Sequence, residues 1–235
     1  MTPMPQRVSL PRLDSAAARG TSAEVRAGLL GLGSRRLKRF IDLVLGSLLL
    51  AFSLPLAALI SLAIWLESGS PVLFTHRRIG QGGRTFLLYK FRSMVHNADE
   101  VLREHLERRP DLALEWLRDH KLKLDPRVTR VGRFLRRRSL DEIPQFWNVL
   151  RGDMSLVGPR PIVPGEAQKY GVHFRMYTLV KPGLTGLWQV SGRNDTGYGK
   201  RVSLDLQYIR EWTPWLDLRI LLRTVWVVLK GHGAY

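Results

Sequence analysis

The sequence predicts a mixed α/β protein that is mainly helical, with a re-entrant membrane helix-break-helix followed by a domain on the cytosolic face of the membrane. Three observations lead to this prediction. Residues 43–66 contain no charged side chain, residues 71–79 and 85–91 flank the turn-forming segment GQGG, and residues 212–230 are amphipathic and rich in tryptophan. The domain is therefore expected to contain a small β-hairpin and amphipathic interfacial helices.

The composition limits the partners and the chemistry. A formal net charge of +17 indicates an anionic partner, which could be nucleic acid, anionic lipid or a phosphorylated substrate. The absence of cysteine excludes disulfides, thiolate nucleophiles and cysteine-bound metals. The sequence also lacks an internal repeat, a P-loop, a GxSxG motif and the ligand spacing of a zinc site.

The uncharged stretch 43–66 is long enough for a helix of about 36 Å, which exceeds the hydrocarbon core of a bilayer. Pro55 lies at its centre, where it removes a backbone hydrogen bond, and Ser53 is close enough to help satisfy the freed groups. Both flanks are basic, which frustrates a simple span because positive charge stays on the cytoplasmic side. We therefore expect a re-entrant segment over residues 35–68, with a kinked full span as the alternative.

Local patterns predict the organisation of the remaining segments. Residues 1–34 are typical of a disordered basic arm, and 97–122 predict two charged helices broken near Pro110. Asp125 and Pro126 form a helix-start signal, and an arginine follows at every third position up to Arg136. The proline- and glycine-rich stretches 151–165 and 181–199 predict ordered loops within a domain that covers 69–235.

The segment SLDEIPQFWN begins with a pattern that fits a capping box, with Ser139 as the N-cap and Glu142 at the third helical position. Asp141 would then lie in the first turn, near free N–H groups that also form an anion site. Arginines 136–138 precede it directly, and together these groups suit a phosphate or a divalent cation. From spacing alone, ordinary helix capping explains the acidic pair better than catalysis does.

Several long segments together resemble one protein family. They are KRFIDLVLGSLLL, GSPVLFTHRRIG, YKFRSM, DPRVTRVGRFLRRRSLDEIPQFWNVLRGDMSLVGPRP, KPGLTGLWQVSGRN and the terminal GAY, and they cover residues 38–235. In this order they resemble the bacterial sugar transferase family, the monotopic polyprenyl-phosphate hexose-1-phosphate transferases. Within this family, the chain resembles the short enzymes that lack an added multi-spanning N-terminal module and that initiate exopolysaccharide repeat units. The family breaks its membrane helix at a Ser-Pro pair, whereas Ser53 and Pro55 are separated here by Leu54.

The resemblance implies an activity and its partners. The expected reaction moves hexose-1-phosphate from a UDP-hexose, with glucose or galactose as the sugar, to polyprenyl phosphate and releases UMP. Asp141 would be the nucleophile that forms a phosphosugar-aspartyl intermediate and also a ligand of Mg²⁺, and Glu142 would orient Asp141 or hold the metal. The enzyme is expected on the cytoplasmic face of the inner membrane, in contact with anionic lipids and without nucleic acid.

The resemblance also suggests substrate contacts. Arg136 would bind phosphate, and Pro159, Arg160 and Pro161 would line the nucleotide pocket. Further contacts to the diphosphate or the sugar would come from Lys90, Arg92 and Arg193. Two other functions compete with this one: a basic, membrane-tethered nucleic-acid-binding or scaffold protein, and a glycosyl transferase that releases UDP. The sequence leaves the identity of the hexose and the oligomeric state open.

Overall fold

A computed structural model describes residues 31–109, 112, 116, 122, 125–192 and 197–230. Short 3₁₀ turns connect several of its elements. The helices are α1 Leu32–Ser68, α2 Ala98–Arg108, α3 Arg130–Arg137, α4 Gln145–Arg151, α5 Ala167–Tyr170, α6 Phe174–Thr178, α7 Leu187–Val190, α8 Tyr198–Glu211 and α9 Pro214–Lys230. The strands are β1 Leu73–Ile79, β2 Thr85–Phe91, β3 Ser155–Val157 and β4 Gly183–Thr185. The chain is mainly helical, as predicted.

The predicted hairpin is confirmed. Strands β1 and β2 pair antiparallel over seven residue pairs from Leu73–Phe91 to Ile79–Thr85, around a turn at Gln81–Gly83. Gly82 and Gly83 both have positive φ angles of 72° and 73°, which glycine adopts without steric cost. The sequence GQGG therefore closes the hairpin because its glycines supply the left-handed conformations that the turn requires.

Helix α1 continues through Pro55 as a single α-helix of 37 residues, so the predicted interruption at Pro55 is wrong. The Ser53 hydroxyl donates to the Leu50 carbonyl at 2.8 Å, rather than to the Ala51 carbonyl that Pro55 leaves without its usual donor. The helix begins at Leu32, before the predicted boundary at residue 35. Of the basic arm predicted for residues 1–34, residues 1–30 lie outside the described residues.

Helix α1 is exposed along its middle and attached at both ends. Only 11% of its most apolar 18-residue window is buried, whereas the core helix of a soluble protein is mostly buried. Near its start, Lys38 Nζ lies 2.6 Å from Asp217 Oδ2 on α9, and Asp42 accepts bonds from the Ser155 hydroxyl and the Leu156 N–H. Near its end, Glu67 accepts bonds from the first N–H groups of α3.

Three apolar clusters surround these attachments. The largest joins α4, β3, α8 and α9, the second packs α5, α6 and α8 against β1, and the third joins α1 to β2 and α3. In the third cluster Ile60 and Ile64 of α1 contact Phe91 and Leu135. The C-terminal half of α1 therefore packs on the domain beside the site described below.

The stretches predicted as loops contain short regular elements. Strands β3 and β4 pair in parallel, and flanking bonds run from Gly183 N to the Pro159 carbonyl and from Gly158 N to the Thr185 carbonyl, both at 2.8 Å. A Cβ added to Gly183 would lie 2.0 Å from Gly158 N. Only glycine permits this approach, so the two glycine-rich segments fold against each other rather than forming separate loops.

Two helix assignments change in detail. Helix α3 begins at Arg130 rather than after Asp125, because the Thr129 hydroxyl caps it by accepting from Gly132 N at 2.9 Å. The first of the two helices predicted within 97–122 is confirmed as α2, and most of the second lies outside the described residues. The amphipathic C-terminal helix is confirmed as α9, with Trp215 and Trp226 exposed and Trp212 buried before its start.

Candidate active site

The acidic pair lies in a 3₁₀ turn, Leu140–Glu142, rather than at the start of an α-helix. Ser139 adopts a left-handed conformation with φ 53°, and its side chain makes no capping bond to the residues that the structure describes. The predicted capping box is therefore wrong. The left-handed residue ends α3 and turns the chain, so Asp141 and Glu142 follow the arginines of α3 within one tight bend.

Lys90 on β2 joins both carboxylates. Its Nζ lies 3.2 Å from Asp141 Oδ2 and 2.7 Å from Glu142 Oε1. Asp141 is 7% exposed and Glu142 is partly buried, so the pair is screened less than a surface pair would be. A single ammonium group thus holds two adjacent carboxylates at one edge of a cleft.

Asn148 helps to fix the positions of Lys90, Asp141 and Glu142 relative to one another. Sequence reasoning missed this role of Asn148. Its side-chain amide donates to the Leu87 carbonyl at 2.7 Å, and its carbonyl oxygen accepts from Tyr89 N at 3.1 Å. Asn148 is fully buried on α4, and its contacts lie on β2 directly before Lys90. The side chain therefore ties the helix after Asp141 to the strand that carries Lys90.

Arg136 reaches the same place from α3. Its Nε donates to the Ser93 hydroxyl at 2.8 Å, and burial lowers its pKa while the charges of Asp141 and Asp125 oppose that shift. Gly132 makes the approach possible, because a Cβ there would lie 2.1 Å from the Ser93 carbonyl oxygen. Arg127, outside the helix, is bonded through two nitrogens to Asp125. The predicted arginine stripe is thus divided between a helix and the turn before it.

One cleft of about 1310 Å³ is lined by both apolar and ionisable side chains. Two helices contribute apolar residues to the lining: Leu45, Leu48, Leu49 and Phe52 from α1, and Leu221, Val225 and Val228 from α9. The α1 residues follow the spacing of a single helix face. The ionisable lining residues include Arg78, Lys90, Arg92, Arg127, Arg136, Asp141, Glu142 and Arg160.

The remaining predicted contacts divide into two groups. Arg160 lines the cleft, whereas Pro159 and Pro161 are buried and their carbonyls accept bonds from Gly183 N and Arg78 Nη1. Arg92 also faces the cleft, but its guanidinium donates to the carbonyls of Ser68 and Gly69 at 2.9 and 2.6 Å.

Arg92 therefore holds the C-terminal end of α1, and burial lowers its pKa. Arg193 lies outside the described residues.

The acidic pair offers two carboxylates as candidate ligands for the expected Mg²⁺. No group of three or more His, Cys, Asp and Glu side chains capable of holding a metal occurs in the described parts of the chain. Mg²⁺, however, is usually bound through one or two carboxylates together with substrate phosphates and water. Asp141 and Glu142 converge on one point, the Lys90 ammonium, so both can face one cation.

Sequence reasoning missed several other residues in or beside the cleft. His76 and Arg78 on β1 and Trp188 on α7 line the cleft, and Arg201 on α8 stacks 4.9 Å from the Trp188 ring. The alternation of His76 and Arg78 along β1 is visible in the sequence as FTHRRI, but this pattern alone indicates a strand rather than a site. Only the fold brings α8 beside the hairpin.

The chain is similar to known proteins over most of its length. The family model described as bacterial sugar transferase matches residues 33–231. An undecaprenyl-phosphate galactose phosphotransferase of Salmonella typhimurium is 50% identical over 205 residues, which cover 86% of this chain and 42% of that protein. The exopolysaccharide production protein ExoY of Rhizobium meliloti is 45% identical over 198 residues, which cover 84% of this chain and 88% of that protein.

The name of a third relative specifies glucose as the sugar. The UDP-glucose:undecaprenyl-phosphate glucose-1-phosphate transferase of Escherichia coli is 42% identical over 211 residues, which cover 86% of this chain. The match covers 42% of that protein, so the chain spans less than half the length of the Salmonella and Escherichia proteins.

Proposed function

Because the chain belongs to the bacterial sugar transferase family, we propose that it transfers hexose-1-phosphate from a UDP-hexose to polyprenyl phosphate and releases UMP. The Salmonella and Escherichia relatives are named for galactose and glucose respectively, and either hexose suits the proposal. The reaction would begin the assembly of an exopolysaccharide or another glycan.

One observation carries the proposal: a single cleft is lined by both apolar and cationic side chains, and these match the two substrates. A polyprenyl phosphate has an apolar chain and an anionic head, and a UDP-hexose is soluble and carries a diphosphate. The leucines and Phe52 of α1, with the apolar face of α9, suit the polyprenyl chain. Lys90, Arg136 and Arg160 suit the phosphates, in a site where electrostatic contacts are stronger than in water.

Asp141 is the nucleophile in this proposal. An oxygen of its carboxylate attacks the β-phosphorus of the UDP-hexose, the bond to the bridging oxygen breaks, and UMP leaves with that oxygen. The hexosyl phosphate remains on Asp141 as an acyl phosphate. Asp141 is held 3.2 Å from the Lys90 ammonium, which offsets the repulsion between the carboxylate and the incoming phosphate.

The second step returns Asp141 to its free state. A phosphate oxygen of the polyprenyl phosphate attacks the same phosphorus, and the Asp141 carboxylate leaves. The product is polyprenyl diphosphate hexose, and the acceptor needs no deprotonation beyond its phosphate. Glu142, 2.7 Å from Lys90, keeps that ammonium beside the reacting carboxylate through both steps.

Mg²⁺ is the proposed cofactor, and Asp141 and Glu142 are the residues that would hold it. When bound, it would neutralise charge on the diphosphate and ease the approach of an anionic nucleophile. Lys90 and Arg136 provide the chain's own positive charge for the same purpose.

The nucleotide released distinguishes this function from its competitors. Membranes containing the protein are incubated with Mg²⁺, polyprenyl phosphate and one UDP-hexose from a panel, and nucleotides are separated by chromatography. We expect UMP, formed with UDP-glucose or UDP-galactose. Release of UDP would indicate transfer of sugar alone, and no nucleotide release with salt-sensitive DNA binding would support the nucleic-acid-binding alternative.

The attachments of α1 support a re-entrant topology at the cytoplasmic face of the inner membrane. Lys38 and Asp42 bind one side of the domain, and Glu67 and Ser68 bind another part of the same domain. A domain that stays on one side of the bilayer keeps both ends of the helix on that side. Arg35 and Arg36 at the first end and Arg77 and Arg84 beyond the second satisfy the preference for positive charge there.

Cysteine labelling tests the topology directly, because the chain has no native cysteine. Arg36→Cys and Ser70→Cys place one thiol at each exposed end of α1. In sealed spheroplasts we expect neither variant to react with an impermeant maleimide, and both to react after the membrane is opened. Labelling of one variant in intact spheroplasts and of the other only after opening would contradict the re-entrant proposal.

A further inference from the structure

The last turn of α1 contacts both elements that carry the charged groups of the candidate active site. We call Glu67, Ser68 and Gly69 the α1 terminus. One of the two elements is β2, which carries Lys90, and the other is α3, which precedes Asp141. Each of them is hydrogen-bonded to a different part of the α1 terminus. The position of the ammonium relative to the carboxylate therefore depends on α1 as well as on their direct contact.

Glu67 supplies the carboxylate that the start of α3 lacks. Helix α3 has no acidic residue in its first turn, whereas α2 has Asp99 and Glu100 there. Glu67 accepts from Arg130 N at 2.8 Å and from Val131 N at 3.1 Å. These N–H groups belong to the first turn, where no carbonyl of the same helix can accept from them and where a negative charge is stabilising. A residue of α1 thus caps α3 across more than 60 positions of the sequence.

Arg92 holds the other side of the α1 terminus. It lies two residues after Lys90 and is 7% exposed. Its Nη2 donates to the Ser68 carbonyl, the Ser68 hydroxyl and the Gly69 carbonyl at 2.9, 2.8 and 2.6 Å. A cation is stabilising at the last carbonyls of a helix. The sequence predicted a substrate contact for Arg92, whereas these bonds assign its guanidinium to the end of α1.

Helix α3 transmits the position of its first turn to Asp141. It has eight residues and is about 12 Å long. Its residue Leu135 is buried in the apolar cluster that α3 shares with α1. The turn that follows is bonded to the helix end, because Ser139 N donates to the Arg136 carbonyl and Glu142 N donates to the Ser139 carbonyl. A rotation at the start of α3 would therefore displace the acidic pair.

We propose that Glu67 and Arg92 are positioning residues, which hold the Asp141 carboxylate 3.2 Å from the Lys90 ammonium by joining α3 and β2 to the α1 terminus. The assignment rests on the proposed function. Glu67 is not among the residues that line the cleft in the described part of the chain, so it acts through α3 rather than on substrate. The membrane helix then contributes to the geometry of the reacting groups, to which reaction rates are sensitive.

The kinetic test separates positioning from substrate binding. Glu67→Ala is expected to lower kcat for UMP release about tenfold and to leave the KM for UDP-hexose within about twofold, because it removes a helix cap outside the cleft. Glu67→Gln keeps an oxygen that can accept from an N–H group, so it should recover most of the loss. Glu100→Ala is the matched control: it removes an exposed carboxylate from the first turn of α2, outside the cleft, and should change kcat less than about twofold.

A double-mutant cycle tests the route of the effect. If Glu67 and Arg92 act through the contact between Lys90 and Asp141, their loss should matter little once that contact is absent. In the background Lys90→Met, Glu67→Ala and Arg92→Gln are each expected to lower the residual kcat less than about twofold. Losses that multiply in full with that of Lys90→Met would overturn the proposal.

Arg92 also has an outcome of its own. A raised KM for UDP-hexose with an unchanged kcat in Arg92→Gln would return Arg92 to substrate binding and overturn its positioning role. Arg92 is buried, whereas Glu67 is exposed, so the Glu67 variants decide the test if Arg92→Gln does not fold.

Hydrogen exchange provides a measurement that needs no turnover. With the full chain in nanodiscs, the amides of residues 138–143 are expected to exchange about threefold faster or more in Glu67→Ala and at the wild-type rate in Glu100→Ala. Faster exchange together with a wild type that releases no UMP would reject the proposed function and support the link between α1 and the acidic pair. A wild type that releases UMP, with kcat and exchange unchanged in Glu67→Ala, would overturn the positioning role and leave the function in place.

Discussion

Asp141→Asn is expected to reduce UMP release by about a thousandfold or more, because an amide oxygen is a far weaker nucleophile than a carboxylate. The substitution keeps the size of the side chain, and the bond between Lys90 and Glu142 at 2.7 Å does not depend on it. The covalent step can be observed separately. With a UDP-hexose labelled in the sugar and no acceptor, the wild type should retain label after denaturing electrophoresis, and Asp141→Asn should retain none.

Asp99→Asn provides the control for this experiment. Asp99 is an exposed carboxylate on α2 at the edge of the same cleft, and it has no part in the Lys90 group. Its turnover should stay within about twofold of the wild type. Near-normal turnover or retained label in Asp141→Asn would remove Asp141 from the nucleophilic role.

The second large effect is expected at the buried ion pair that joins α1 to α9. Asp217→Asn leaves the Lys38 ammonium, which is 7% exposed, without its 2.6 Å carboxylate partner. It also changes the acceptor of the Tyr208 hydroxyl, which bonds to Asp217 at 2.7 Å. The cost should be about 3–5 kcal/mol of folding stability, which lowers the midpoint of thermal inactivation in nanodiscs by about 10 °C.

Two further variants show whether the cost arises from an uncompensated buried charge. The double variant Lys38→Met with Asp217→Leu replaces the pair by apolar groups and should recover most of the loss. Glu104→Gln removes one partner of the exposed Arg108 pair, whose side chains are 79% and 58% exposed, and should shift the midpoint by less than about 1 °C. Equal midpoints for Asp217→Asn and the wild type would show that the pair does not hold α1 in place.

The sequence predicted elements whose pattern is local. The hairpin was predicted from alternation and a glycine turn, and the strand over 85–91 agrees with the structure at both ends. Helix α9 was predicted because seventeen residues suffice to show a 3.6-residue period. The pairing of β3 with β4 was not predicted, because three-residue strands show no periodicity and their pairing depends on the close approach of Gly158 and Gly183.

The candidate site likewise contains residues that a local sequence pattern reveals and features that only distant contacts create. Asp141 and Glu142 stood out as adjacent acids after a run of arginines, and the structure places both in the cleft. The mistaken capping box arose because the motif S-x-x-E describes a helix start equally well, and the left-handed conformation of Ser139 is not encoded by a glycine. Lys90 was predicted to contact substrate, but its bonds to both carboxylates were not predicted, because they join residues that are 51 and 52 positions apart in the sequence.

The apolar lining that α1 and α9 give to the cleft has a consequence for the proposed reaction. If the acceptor is a polyprenyl phosphate, it would reach the cleft by lateral diffusion in the membrane, whereas the UDP-hexose would arrive through water. The frequency of encounters with the acceptor would then be set by its mole fraction among the lipids rather than by its amount per litre. Growth of the membrane would dilute the acceptor even at a constant total amount, so the rate of lipid synthesis would control the proposed reaction.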